Sequence, residues 1–411
     1  MKCEALGQHA TLIRGITFSP SDKCEPGTPD SVVCLRTSNI QEQLDESDLL
    51  AVPSSLVKSP EKHVRVGDIL VSSANSWNLV GKCCRVTSLR FASTAGGFIS
   101  ILRPTTDCLD PSYLYGWFSW DRTQETVRSY GRQTTSISNL DHKRTLLLPI
   151  PLPPLHEQKR IVAILDAAEA LRAKRRESIS QLDSLVQAVF SDMFGNPVVN
   201  PKGWEECRFA DVIDRLEGGK NVAPSESPSD HRILKVSAVT YGEYRPEEAK
   251  WLPANFIPPD SYIVRSGDLL ISRANTVDLI GATAYVWDTP ARMVLPDKIW
   301  RFVWRDRAPI DSLYVFHMTR HKDFQRMIGS RASGTSGSMK NISKPKLLGL
   351  TIPLPPLPMQ QEFAERVRRI RAQRAILVKQ LFELDSLFSS LQSQAFNGRL
   401  STSVLSDPLS A

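Results

Sequence analysis

The sequence predicts an α+β protein in which two similar mixed α/β globules are joined by two long antiparallel helices. The helices would form a coiled-coil-like rod, and the whole would be an internal repeat with an approximate two-fold axis. Three observations predict this. The strap Leu152-Pro153-Pro154-Leu155 returns as Leu354-Pro355-Pro356-Leu357, 202 residues later. Leu182-Asp183-Ser184-Leu185 returns as Leu384-Asp385-Ser386-Leu387, and Phe194 as Phe396, at the same offset of 202. After each strap, residues at alternating spacings of four and three draw one stripe. In the first copy it is Ile161, Leu165, Ala168, Arg172, Arg175, Ile179, Leu182, Val186, Val189 and Met193. Its counterpart is Phe363, Val367, Ile370, Arg374, Leu377, Leu381, Leu384, Phe388, Leu391 and Ala395. A seam of that period is how helices pack along one another.

Composition sets the outer bounds. The chain has 411 residues, enough for two or three domains. Lys and Arg exceed Asp and Glu by 51 − 44 = +7, which permits an anionic partner without demanding one. No apolar run is long enough for a membrane span. The start, MKCEALGQHATLIRG, lacks the apolar core of a signal peptide. The seven cysteines are odd in number and form no C-x-x-C pair, so they read as thiols of a reducing compartment. A cytoplasmic location follows, with no membrane contact.

In chain order, residues 1–148 alternate short β-type runs (Ser31 to Leu35, Asp68 to Ser72, Gly97 to Leu102) with Gly, Pro, Ser and Asn clusters. A helix is expected from Pro111 to Tyr130, capped by Asp110 or Ser112. The proline strap then ends this globule and starts the first long helix, because proline suits a first helical turn and breaks an interior. At about 1.5 Å per residue, a helix of about 38 residues would span roughly 57 Å. Such a helix with a single seam needs a partner, and the simplest one is its own repeat.

Residues 200–352 repeat the globule more weakly. Gly67-Asp68-Ile69-Leu70-Val71-Ser72 matches Gly267-Asp268-Leu269-Leu270-Ile271-Ser272, and Ala74-Asn75 matches Ala274-Asn275. Asp110-Pro111-Ser112-Tyr113 aligns with Asp311-Ser312-Leu313-Tyr314. Between these islands the halves differ almost everywhere. One frame with changed loops is what two readers of different targets would look like.

Catalytic signatures are missing from the sequence. There is no phosphate-binding G-x-x-x-x-G-K-[ST]. His317 and His321 lack the glutamate of a metalloprotease and read as paired surface histidines on one helix. Asp110-Pro111-Ser112-Tyr113 is one residue from the D-P-P-Y of amino-methyltransferases, yet no glycine-rich cofactor loop accompanies it, so it reads as a helix cap. Pro296-Asp297 lacks the downstream acid and lysine of a nuclease. The chain is expected to carry no active site and no metal.

What remains is binding equipment. Before each strap lies a Ser/Thr/Gly loop with cations, containing Arg132, Gln133 and Thr134 in the first half. In the second it contains Arg331, Ser333, Thr335, Ser336 and Lys340. The loops after the matched strands add Ser73, Asn75 and Trp77, then Arg273 and Asn275. Small polar groups and cations suit phosphate contact, and Asn, Gln and Arg can pair with base edges in a major groove. These thirteen are the candidate DNA-binding residues. Arg172, Arg175, Arg176, Arg368 and Arg371 on the helices form either a solvated face or a docking surface for a partner protein. Arg172 and Arg374 lie on the seam, where they must be paired or reach solvent.

Together, Pro151-Leu152-Pro153-Pro154-Leu155-His156-Glu157-Gln158, Pro353-Leu354-Pro355-Pro356-Leu357, the opening Gly203-Trp204 with Phe209-Ala210-Asp211-Val212, and the Gly-Asp-[Ile/Leu]-Leu strands resemble the specificity subunits of type I restriction–modification systems. The resemblance covers essentially the full chain. It implies target recognition domains at 1–150 and 197–354, straps with spacer helices at 151–196 and 355–398, and a tail at 399–411. Each domain would read one half of a split site on double-stranded DNA. The helices would set the spacing and dock two methyltransferase subunits, and translocase–nuclease subunits would join for cleavage. S-adenosylmethionine would sit on the methyltransferase, with no cofactor in this chain. Two other readings stay open at this point: a protein–protein scaffold, and the target-recognition module of a fused restriction-methyltransferase.

Overall fold

Both long helices form with the predicted repeat. They run Leu155–Phe194 and Leu357–Phe396, 40 residues each, so both ends keep the offset of 202. At 1.5 Å per residue each is about 60 Å long. A glycine in the left-handed region follows each, Gly195 at φ 76° directly after the first and Gly398 at φ 68° two residues after the second, a conformation that side chains with a Cβ disfavour. The computed structural model describes residues 2–133, 137–276, 278–333 and 340–400. Its contacts divide the chain into two units, Met1–Arg176 with Lys379–Ala411, and Glu177–Val378. Each unit therefore holds one globule, half of one long helix and half of the other.

The seam arginines are paired as the repeat requires. Arg172 Nε donates to Asp385 at 2.7 Å in the first unit, and Arg374 Nε donates to Asp183 at 2.7 Å in the second. Adding 202 to one pair generates the other, and the aspartates are those of the repeated Leu-Asp-Ser-Leu. The pairing makes the helices antiparallel. Arg172 also lies over the Phe388 ring at 4.4 Å, so its stem packs while its head is neutralised.

The globule of the first unit is built on a four-stranded antiparallel sheet. Its order is Ala10–Arg14, Ile99–Pro104, Ile69–Ser72, Cys83–Arg85. A second sheet orders Ala51–Pro53, Ser31–Leu35 and Ser93–Ala95, the last pair parallel. The second unit reproduces both: Ile213–Gly218, Ile299–Trp304, Leu269–Ser272, Thr283–Tyr285, then Ala249–Trp251, Arg232–Leu234, Met293–Val294. The expected helix from Pro111 to Tyr130 is in fact two, Pro111–Phe118 and Asp121–Ser129. The chain becomes extended at Trp120, and the Gln124 side chain donates to the Phe118 carbonyl at 2.7 Å, closing the first helix. Asp110 is its cap, accepting from the Ser112 and Tyr113 amides at 2.8 and 3.0 Å.

The proline straps do more than end a domain. Pro149–Pro151 is a strand paired with Cys3–Ala5, and Thr351–Pro353 pairs with Glu206–Arg208. Each globule thus begins and ends on the same two-stranded ladder. Beside it, one fastening is built twice. Gln158, fully buried in the first turn of the long helix, donates to the Pro153 and Cys108 carbonyls, both at 2.8 Å. Its Oε1 accepts the Asp110 amide at 2.9 Å, and the Tyr113 hydroxyl donates to Pro151 O at 2.9 Å. In the second unit Gln360 donates to Pro355 O and Pro309 O at 2.7 and 3.1 Å and accepts from the Asp311 amide at 2.9 Å. There Tyr314 donates to Pro353 O, also at 2.9 Å. One fully buried amide side chain thereby satisfies three backbone groups that connect the helix cap and the strap to the long helix.

Removing a glutamine should expose that dependence. Gln158→Leu or Gln360→Leu leaves an amide and two carbonyls facing an apolar side chain and should cost about 2–3 kcal/mol. Gln361→Leu, at an exposed neighbouring position, should change stability by less than about 0.5 kcal/mol. Urea unfolding of the three variants measures the difference.

Candidate nucleic-acid interface

The Gly-Asp-[Ile/Leu]-Leu strand positions the loops at its far end. Gly67 and Gly267 sit at φ 93° and 94°, where glycine alone is unstrained, and turn the chain into the strand. Asp68, 2% exposed, then accepts from the Arg103 guanidinium at 2.7 and 2.6 Å and from the Arg65 amide at 2.7 Å. Asp268 receives Arg301 at 3.1 Å, and Arg301 also pairs with Glu217 and donates to Ser261 O at 2.7 Å. Burial draws the Asp268 carboxyl upward, while the Arg265 amide and the Arg301 charge oppose that shift. Forked arginine–carboxylate pairs of this kind fix direction as well as charge.

From these anchors the strands run to Ser72 and Ser272, and the candidate residues gather there. In the first globule Ala74–Asn75 pairs with Ser138–Asn139, which pairs with Arg132–Gln133. In the second, Ala274–Asn275 pairs with Lys340–Asn341, and Ser333 bridges Asn341. The ribbon is tied to the core by Leu140 N to Ser73 O at 2.8 Å and by Ile342 N to Arg273 O at 3.0 Å. The two groups of candidates, far apart in sequence, therefore share one ribbon in each globule.

Individual side chains differ in how free they are. Trp77 is 43% exposed and Arg331 is exposed at the end of Lys322–Arg331. Asn75 donates to Ser72 Oγ at 3.1 Å and accepts the Ser76 amide; Asn275 donates to Thr240 Oγ1 at 3.1 Å and accepts the Thr276 amide. Arg273 is held by the Asp297 carbonyl at 2.7 Å and its carboxylate at 3.4 Å, so the Pro-Asp pair serves as an arginine holder. Ser73 and Lys340 are half-buried. Arg132 and Gln133 are placed by their backbone pairing, and Thr134, Thr335 and Ser336 lie outside the described residues.

One position escaped the sequence reading. The carbonyl of Phe98 accepts the Ser73 amide at 2.8 Å, and its ring is 62% exposed beside the ribbon. Lys298 takes the same place in the second globule, its carbonyl accepting the Arg273 amide at 3.0 Å. The available signal was the Gly96-Gly97 pair, which sharpens the turn that presents Phe98.

On the helices, Arg172 and Arg176 are committed within their own unit. Arg172 pairs with Asp385 and Glu169, and Arg176 pairs with Glu42 and Glu169, each at 3.1 Å. Arg175 is half-buried, Arg368 is exposed, and Arg371 is exposed over the Trp287 ring at 4.5 Å. The paired surface histidines do not form. His321 caps the helix after the one carrying His317, and the His317 ring lies edge-on to Phe316 at 4.8 Å and Phe363 at 5.3 Å. All seven cysteines are free, and burial pushes the Cys34 thiol up to about 11 and that of Cys84 up to about 12. Among the described residues no helix is long and apolar enough to cross a membrane.

A repeated globule that carries a polar ribbon of changed side chains on a kept frame, fastened to the long helices in each unit, defines a protein of two related domains. The family description of the type I restriction modification DNA specificity domain matches residues 6–181 and 201–384, and the chain belongs to that family. It is 26% identical over 410 residues to the EcoKI specificity subunit of Escherichia coli K12, covering 95% of this chain and 87% of that one. It is 24% identical to the StySPI specificity subunit of Salmonella potsdam, with 95% and 87% covered. A solved chain described for complex assembly and conformational transition of the type I R-M system shares the fold, with TM-score 0.56 at 19% identity over 95% of this chain and 98% of that one.

Burial holds His317 neutral, drawing its imidazole from 6.5 down to about 3, with the Arg320 charge adding to the effect. The unfolded chain takes up a proton there below about pH 6.5 while the folded chain does not. Stability of the second unit should therefore fall as pH drops from about 6.5 toward 3, and His317→Phe should flatten that dependence. Thermal melts between pH 7 and pH 4 read the slope.

Proposed function

We propose that this chain is the non-catalytic DNA sequence-specificity subunit of a type I restriction–modification complex, each globule reading one half of a bipartite site. The reading domains are assigned to residues 1–150 and 197–354. The observation that carries the reading is the ribbon. It occupies the same place in both globules on the same anchored strand, yet Phe98 of one corresponds to Lys298 of the other and Ser73 to Arg273. Phosphate contacts from the loop cations supply salt-dependent affinity, and the changed side chains supply specificity.

The long helices set the spacing of the half-sites and dock two methyltransferase subunits, on whose S-adenosylmethionine the adenine methylation depends. Translocase–nuclease subunits join for cleavage, and the complex works in the cytoplasm. Apolar side chains left exposed on these helices, among them Leu171 (55%), Leu185 (43%), Ile376 (51%) and Phe382 (72%), support docking there. With Arg172 and Arg176 internally paired, the helical contact rests on those side chains and on Arg368.

Co-expression with a cognate methyltransferase subunit, followed by genome-wide mapping of methylated adenine, should return a motif with two specified halves and an unspecified gap. Methylation at a continuous motif, or none above the methyltransferase alone, contradicts the assignment. Within that assay, Phe98→Ala should relax one half only and weaken binding by about 1–3 kcal/mol if the ring contacts a base, while Lys298→Ala should affect the other half.

A further inference from the structure

Each unit encloses a cleft between its globule and its share of the long helices, and the two clefts are equivalent through the repeat. The first, of about 430 Å³, is lined by Tyr115, Leu165 and Arg172; the second, of about 520 Å³, by Phe316, Val367 and Arg374 at the matching positions. Their charges are arranged differently. In the first, Arg85 pairs with Asp166 at 3.3 Å, Arg172 with Asp385 and Glu169, and Arg176 with Glu42 and Glu169. Every guanidinium on that wall has a carboxylate.

The second cleft leaves two guanidiniums without one. Arg374 is paired with Asp183, but among the described residues Arg320 and Arg371 form no ion pair. Arg320 lies over the Phe316 ring at 5.1 Å and would be 3.0 Å from a Cβ at Gly242; Arg371 lies over Trp287 at 4.5 Å. Burial lowers the proton affinity of both, and at Arg371 the neighbouring Arg374 charge adds to it. Glu243 is on the same wall and offsets part of this charge without reaching either arginine as an ion pair. The wall so carries three guanidiniums against the carboxylates of Asp183 and Glu243. His317, neutral through its burial, also lines the cleft, with an Nε2 that has no hydrogen-bond partner among the described residues.

We propose that the cleft of the second unit binds a small ligand bearing an oxyanion, a phosphate or a carboxylate, held by Arg320 and Arg371. A guanidinium presents a planar fork of donors that matches either group. Holding two such forks on aromatic faces in a ligand-sized concavity leaves their donors directed at whatever enters. The first cleft, self-neutralised, lacks this property, so the site is confined to one of the two repeated units.

The test is calorimetric titration of the full chain with inorganic phosphate, citrate and adenosine monophosphate at constant ionic strength in chloride. Binding by any of these at one site per chain is expected, and which of them binds separates phosphate from carboxylate sources. Arg320→Gln with Arg371→Gln should weaken it at least about tenfold. Glu243→Gln, at an exposed position, should tighten it by roughly threefold, since it removes the competing carboxylate. Arg85→Gln, in the other cleft, should leave it unchanged. Absence of binding by all three anions overturns the proposal. So does binding that survives the double substitution, or that responds to Arg85→Gln and not to Glu243→Gln.

Discussion

The structure turns on a side-chain amide that is completely buried where a globule meets a long helix. Gln158 and Gln360, each in the first turn of a long helix, answer one amide and two carbonyls that belong to two other segments: the loop at a helix cap and the proline strap. Prolines supply no N–H, so a Pro-rich strap leaves carbonyls that something else must satisfy. Glutamine has the reach and both polarities to do so. Asp110 and Tyr113, with Asp311 and Tyr314, complete the fastening from the globule side. A globule whose loops have diverged almost completely can then still be presented on the same helix in the same way.

The reciprocal ion pairs extend this logic along the rod. Arg172 with Asp385 and Arg374 with Asp183 are one interaction written twice by a duplicated sequence. Each unit holds one copy of the pair, so the duplicated sequence builds the same contact between its two helix segments in both units. The Arg172 stem packs on the Phe388 ring, while the Arg374–Asp183 pair is more exposed, so both mark register more than they add stability. A one-turn slip of the helices would separate both pairs at once.

Much of this was legible in the sequence because it was repeated. The 202-residue register gave both helices, their seam and the need for the seam arginines to be paired, and the strap gave the helix starts. What stayed hidden depended on contacts between distant segments. The strap's role as a strand rests on Cys3–Ala5 and Glu206–Arg208, which carry no strong β signal. Gln158 looked like an ordinary polar residue of a first helical turn, and its match to Gln360 was obscured by the change from His-Glu-Gln to Pro-Met-Gln. His317 and His321 suggested a shared face because helical spacing was assumed across a break that falls between them. Asn75, Asn275 and Arg273 looked free for base contact because their local partners, Ser72, Thr240 and Asp297, cannot be read from composition.

If each globule is fastened independently by its own amide and reads DNA by its own ribbon, the halves should be separable units of specificity. The direct measurement is to replace residues 1–150 with the corresponding globule of another family member, keeping Gln158 and the strap, and to sequence the methylated adenines made with the same methyltransferase. The account predicts that one half of the bipartite motif changes while the other half and the gap between them stay as they were. A change in both halves, or in the gap, would contradict it.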